Sequence, residues 1–119
     1  MSESKHKPRV LIVEDSEHLG FLLAYMLERE GFETVTLHDG RQVAQHIAHA
    51  PPPDVVLTDL MLPYLDGFEI LALIRAHPRW KSVPVIVLSA RSDEDDVVRA
   101  LESGANDFVR KPYRPRELL

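Results

Sequence analysis

Asp54-Val55-Val56-Leu57-Thr58-Asp59-Leu60-Met61-Leu62-Pro63 is the stretch on which the fold turns. Val55 to Leu57 are apolar with no polar alternation, the pattern of a strand buried on both faces. The run stops on a carboxylate, Asp59. A hydrophobic strand gains nothing by ending on an isolated charge, so Asp59 needs an explanation elsewhere in the chain. Glu14 and Asp15 end an earlier strand, Ser89 ends a later one, and Lys111 ends the last.

Composition narrows the field. A chain of 119 residues is one domain with room for a real core. The net charge of −5 argues against nucleic acid or an anionic membrane as this domain's direct partner. There is no cysteine, hence no disulfide framework and no thiolate metal site. Met1 to Pro8 is polar and basic, without the apolar core of a signal peptide, and reads as a disordered tail (1–8) before one domain over 9–119. No apolar run is long enough to span a bilayer, so a cytoplasmic setting is expected.

Around the opening stretch the chain alternates strands and helices. Val10 to Val13 is a second fully apolar strand. Ser16 is placed to cap a helix that turns Leu19, Leu22, Leu23, Met26 and Leu27 inward, with Gly31 closing it. Thr34 to Leu37 is a short strand. Asp39-Gly40 opens a helix carrying Val43, Ala44, Ile47 and Ala48 inward, and Pro51-Pro52-Pro53 follows it. Asp66 caps a helix reaching about Ala76, with Leu71 and Ile74 inside and His77-Pro78 at its end. Val83 to Leu88 is another buried strand. Ser92-Asp93-Glu94-Asp95 forms a capping box before a helix with Val97, Ala100 and Leu101 inside and Gly104 at its end. Asp107 to Arg110 is the last strand, and residues 115–119 resemble the first turns of a truncated helix. Five strands alternating with helices specify an α/β, doubly wound parallel sheet with right-handed crossovers.

In such a sheet, ligands bind beyond the carboxyl ends of the strands. Glu14, Asp15, Asp59, Ser89 and Lys111 all fall there. Two carboxylates about 4 Å apart repel by roughly 1 kcal/mol in water and about 4 near a protein surface. Three of them call for a cation. A hard divalent ion suits carboxylate and carbonyl oxygens, whereas zinc would want His or Cys. Lys111 adds a compact positive charge suited to phosphate. This set points to Asp59 as a nucleophile that forms an acyl phosphate, with Ser89 within reach of a phosphoryl oxygen.

Glu14-Asp15, Asp59, Ser89 and Lys111-Pro112, in this order and spacing, resemble the receiver domain of bacterial two-component response regulators. The resemblance covers the chain from Arg9 onward. It implies a flavodoxin-like sheet of order 2-1-3-4-5 with an incomplete fifth helix. It implies Asp59 as phosphoacceptor, charged by a histidine kinase or phosphotransfer protein, and Mg²⁺ held by Glu14, Asp15, Asp59 and the Met61 carbonyl. It also implies Ser89 and Lys111 on the phosphoryl group, a cis Lys111-Pro112 bond, and Ser89 with Phe108 as the switch pair. Such a domain is a signalling element, assisting only its own phosphorylation and dephosphorylation. Met61 and Arg91 flank the acyl phosphate in this resemblance, and neither offers a base, so slow self-dephosphorylation is expected. The segments Leu62-Pro63, Asp66-Gly67 and Leu101 to Pro112 resemble the subclass joined to winged-helix transcription factors. That subclass dimerises through the fourth helix, fifth strand and fifth helix.

Other readings stay in view. Asp15 alone is a helix cap, and Lys111 alone a surface lysine. Asp93 to Asp96 reads as capping and a solvated face, as do His46 and His49, while Trp80 and Tyr113 read as local packing. An interaction module without phosphorylation is the rival class. An aspartate phosphatase would want a second acid where Met61 stands. A flavin carrier would not place Glu14-Asp15-Ser16-Glu17 where a phosphate loop belongs.

Overall fold

A computed structural model describes residues 7–60, 62, 64–89 and 94–110, with backbone alone at 94 and 110. The chain runs β1 (Arg9–Val13), α1 (Glu17–Arg29), β2 (Glu33–Leu37), α2 (Gly40–His49), β3 (Val55–Asp59), α3 (Gly67–Ala76), β4 (Val85–Ser89), α4 (Glu94–Glu102) and β5 (Asp107–Arg110). The strands form one parallel sheet in the order β2-β1-β3-β4-β5. The three apolar runs β1, β3 and β4 occupy its centre, where both faces are covered. Alternate β1 residues divide between the faces. Leu11 and Val13 join Val43, Ile47, Ile70, Leu71 and Ile74 in the core under α2 and α3. Val10 and Ile12 join Leu23 and Leu27 under α1. Burial of these side chains is the main favourable term holding the layers together, each worth about 1.5–3 kcal/mol.

The caps follow the sequence. Ser16 accepts from the Leu19 N–H at 3.2 Å, and Asp39 from the Gln42 N–H at 2.9 Å. Asp66 and Glu69 form a reciprocal capping box on α3, with both hydrogen bonds at 2.9 Å. Helices α1 and α4 end at Gly31 (φ 96°) and Gly104 (φ 112°), where the backbone needs the left-handed region. Each has the paired bonds of a Schellman motif: Phe32 N–H to Leu27 O and Gly31 N–H to Glu28 O, then Ala105 N–H to Ala100 O and Gly104 N–H to Leu101 O.

Several expectations are corrected. Leu22 is 41 % exposed and Leu101 46 % exposed, not inward. Each lies one position round its helix from the buried row, which is Gly20, Leu23, Leu27 in α1 and Asp96, Ala100 in α4. Ala48 is exposed for the same reason, one step from Ile47. Asp96 is therefore buried rather than part of a solvated face. His46 is half-buried, edge-on to Trp80 with ring centroids 5.9 Å apart. The fourth strand starts at Val85, not Val83. Pro84 has no N–H for the ladder, and the Val83 N–H turns back to Trp80 O at 2.9 Å. Trp80 is fully buried, its Nε1–H donating to Ala50 O at 3.3 Å. The tail at 1–6, the expected capping box at Ser92 and Asp93, Tyr113, and the partial fifth helix lie outside the described residues. No helix among the described residues is long and apolar enough to cross a membrane.

Candidate functional site

Strand register brings the acids together. Val13 is level with Thr58 across the β1–β3 pair. Glu14 and Asp59 are therefore the next residues on adjacent strands, at the carboxyl edge of the sheet. One carboxylate oxygen from each of Glu14, Asp15 and Asp59 lies within 4.8 Å of the others. Glu14 and Asp59 are buried and Asp15 is exposed. Such clustering of like charge in a partly dehydrated place is costly unless a cation sits among them. The donor set is all oxygen, which fits a hard divalent ion.

The two buried acids, Glu14 and Asp59, are held in place by backbone. A Glu14 carboxylate oxygen accepts from the Ser16 N–H at 3.2 Å, and the Glu14 N–H donates to Leu37 O at 3.0 Å. The Glu14 carbonyl is 3.0 Å from Nδ1 of His38. Asp59 Oδ1 accepts from the Leu60 N–H at 2.7 Å. The Thr58 hydroxyl donates to the Asp59 carbonyl at 3.0 Å.

The start of α3 closes against this corner. The Gly67 N–H donates to Leu60 O at 2.8 Å. A Cβ on Gly67 would lie 2.8 Å from the Asp59 carbonyl oxygen and 3.0 Å from Leu60 Cα. Only a residue without a side chain lets α3 approach so closely. Between β3 and α3, Tyr64 has φ 72°, a left-handed conformation that costs a side-chain-bearing residue roughly 1 kcal/mol.

Ser89 is buried at the carboxyl end of β4, one residue past Leu88, which pairs with Asp59. Phe108 is half-buried and packs on the larger core cluster. Lys111, Pro112, Met61 and Arg91 lie outside the described residues. The structure thus brings Glu14, Asp15 and Asp59 into one cluster and places Ser89 on the same edge of the sheet. The supporting contacts of His38, Gly67 and Tyr64 went unseen in the sequence. A lone His and a loop Tyr carry no spacing signal, and Asp66-Gly67 signals a helix start and a resemblance, not a close approach to Asp59.

Residues 10–119 match the response regulator receiver domain family. The chain belongs to that family. The DNA-binding response regulator MtrA of Mycolicibacterium smegmatis is 41 % identical over 113 residues, covering 95 % of this chain and 48 % of that protein. The sensory transduction protein RegX3 of Mycobacterium bovis is 46 % identical over 110 residues, covering 92 % of this chain and 47 % of that protein. The receiver domain therefore spans about half the length of the curated relatives it matches. Among solved structures, the receiver domain of the sensor histidine kinase PA1611 from Pseudomonas aeruginosa PAO1 superposes with a TM-score of 0.85 at 31 % identity, covering 95 % of this chain and 92 % of that one. That structure has a magnesium ion coordinated in its active-site cleft. Receiver domains serve two-component signalling and bind Mg²⁺ in an acidic site. This receiver domain carries such a cluster.

Proposed function

We propose that Asp59 is the phosphoacceptor of this receiver domain, and that Glu14, Asp15 and Asp59, with the Met61 carbonyl, hold Mg²⁺. The observation that carries this reading is the cluster of three carboxylates whose oxygens lie within 4.8 Å of one another at the carboxyl ends of β1 and β3. Mg²⁺ supplies positive charge that offsets the carboxylates and the oxygens of the incoming phosphoryl group.

The Asp59 carboxylate attacks phosphorus in line with the leaving group. A P–O bond forms to Asp59 while the P–N bond to the donor's imidazole breaks, and the bonding pair leaves on the imidazole nitrogen. Asp59 Oδ1 accepts from the Leu60 N–H at 2.7 Å, which holds the carboxylate in place on the strand end. Ser89, at the end of β4, donates its hydroxyl to a phosphoryl oxygen, and Lys111 supplies a fixed charge beside it. Water later cleaves the acyl phosphate, returning the Asp59 carboxylate and inorganic phosphate. Met61 and Arg91 bring no base for that water, so the phosphorylated form is long-lived. Decay within seconds would contradict this.

The phosphodonor is a histidine kinase or phosphotransfer protein. The signal leaves through α4 and β5, with Ser89 and Phe108 as the switch pair, toward an output domain or a second copy docked on α4, β5 and the fifth helix. Intact-mass measurement after incubation with acetyl phosphate tests the reading. One phosphoryl adduct that requires Mg²⁺ and is lost in Asp59→Asn is expected. An adduct that persists in Asp59→Asn overturns it.

A further inference from the structure

The connection between β3 and α3 starts and finishes against Asp59. At one end Leu60 donates to the Asp59 carboxylate at 2.7 Å. At the other, the Gly67 N–H reaches Leu60 O at 2.8 Å, and Gly67 stands against the Asp59 carbonyl. The connection is therefore anchored on Asp59 at both ends.

Its outer side rests on the first turn of α2. Leu65 packs so tightly against Gly40 that a Cβ there would come within 2.4 Å of the Leu65 Cβ. Beside that contact, the Arg41 guanidinium lies over the Tyr64 ring, 4.0 Å from its centroid. Tyr64 holds this position at φ 72°, with 64 % of its surface exposed. Glycine would take that backbone conformation without strain. A tyrosine kept there is strained, and strain persists where surrounding contacts hold it for a purpose. The same turn of α2 also reaches the other half of the acidic cluster. Gln42 accepts from the His38 N–H at 2.7 Å, and the His38 ring meets the Glu14 carbonyl at 3.0 Å.

We propose that Tyr64 and Arg41 are positioning residues for the acidic site: their cation–π contact clamps the β3–α3 connection to α2 and so fixes Asp59 relative to Glu14. The inference rests on the reading of Asp59, Glu14 and Asp15 as the Mg²⁺ and phosphoryl site. Neither residue touches the reacting atoms. The clamp acts by keeping the carboxylates in a geometry that accepts the ion without rearrangement.

The test uses the full chain and four single variants, Tyr64→Ala, Tyr64→Phe, Tyr64→Gly and Arg41→Ala, with the double variant Tyr64→Ala/Arg41→Ala. Mg²⁺ affinity is read by titration calorimetry, adduct formation by intact mass with acetyl phosphate at saturating Mg²⁺, and folding by thermal melting. Tyr64→Ala and Arg41→Ala should each weaken Mg²⁺ binding and slow adduct formation by about threefold, as an exposed cation–π contact allows. The double variant should lose no more than either single one, since both remove one contact. Tyr64→Phe keeps the ring and should match wild type. Tyr64→Gly relieves the left-handed strain, so its melting midpoint should hold or rise while its Mg²⁺ affinity falls. A merely structural residue would not separate those two readouts. Wild-type Mg²⁺ affinity in Tyr64→Gly and Tyr64→Ala, or additive losses in the double variant, would overturn the clamp while leaving the site intact. A wild-type protein that neither binds Mg²⁺ nor takes a phosphoryl group would overturn the site and the clamp together.

Discussion

At the scale of single residues, the site depends on places where a side chain is absent as much as on those where one is present. Gly67 is the clearest. Alanine there would put a methyl 2.8 Å from the Asp59 carbonyl oxygen, so the backbone of α3 or β3 must yield. Gly67→Ala is expected to lower stability by about 1–3 kcal/mol, the usual cost of overpacking, and to slow phosphorylation more than the stability loss explains. Urea denaturation beside intact-mass kinetics checks both. His46 gives a second prediction. Burial against Trp80 holds its imidazole below the ordinary value of 6.5. The unfolded chain then binds the proton at a higher pH than the folded one. This contribution is fully present above pH 6.5 and is lost as pH falls from 6.5 toward the lowered folded value. His46→Gln should flatten that part of the stability profile between neutral and mildly acidic pH. An unchanged slope in urea midpoints across that window would contradict it.

At the scale of elements, Arg75 ties α3 to the segments around it. Its guanidinium donates to Gly104 O at 3.1 and 2.6 Å, Val83 O at 2.6 Å, Lys81 O at 3.0 Å and Asn106 Oδ1 at 3.0 Å. Asn106 in turn accepts from the Val85 N–H at 2.8 Å. One planar fork thus joins the end of α3, the approach to β4 and the α4–β5 turn. Arg75→Met should cost about 2–4 kcal/mol, since several carbonyls lose a charged donor, and Arg75→Lys should recover only part of it. Chemical denaturation of the two variants settles the order. These elements were legible to different degrees. Apolar runs without alternation marked β1, β3 and β4, and the caps at Ser16, Asp39 and Asp66 marked three helix starts. Inward faces were less legible, because Leu22, Ala48 and Leu101 are as apolar as their buried neighbours. Helix rotation is decided by what the sheet offers, not by composition alone. The Arg75 fork carried no signal, since all but one of its acceptors are backbone carbonyls that any sequence supplies.

At the scale of the whole molecule, the sheet order β2-β1-β3-β4-β5 explains why residues 45 positions apart act together. Asp54 accepts from the Arg9 N–H at 2.7 Å at one edge of the sheet, and Glu14 meets Asp59 at the other. Parallel pairing sends every strand's carboxyl end to the same edge, so residues that end apolar runs gather there. That is why the acidic cluster was readable from the strand ends of Glu14-Asp15 and Asp59, whereas the contacts bracing it were not. The central claim, that Asp59 is the residue that carries the phosphoryl group, is tested most directly by chemical trapping. The protein is phosphorylated with acetyl phosphate and Mg²⁺, reduced with borohydride, and its peptides are sequenced by mass spectrometry. An acyl phosphate is reduced to the alcohol, so homoserine at position 59 is predicted. Homoserine at another aspartate, or a phosphorylated protein that yields none, would contradict the account.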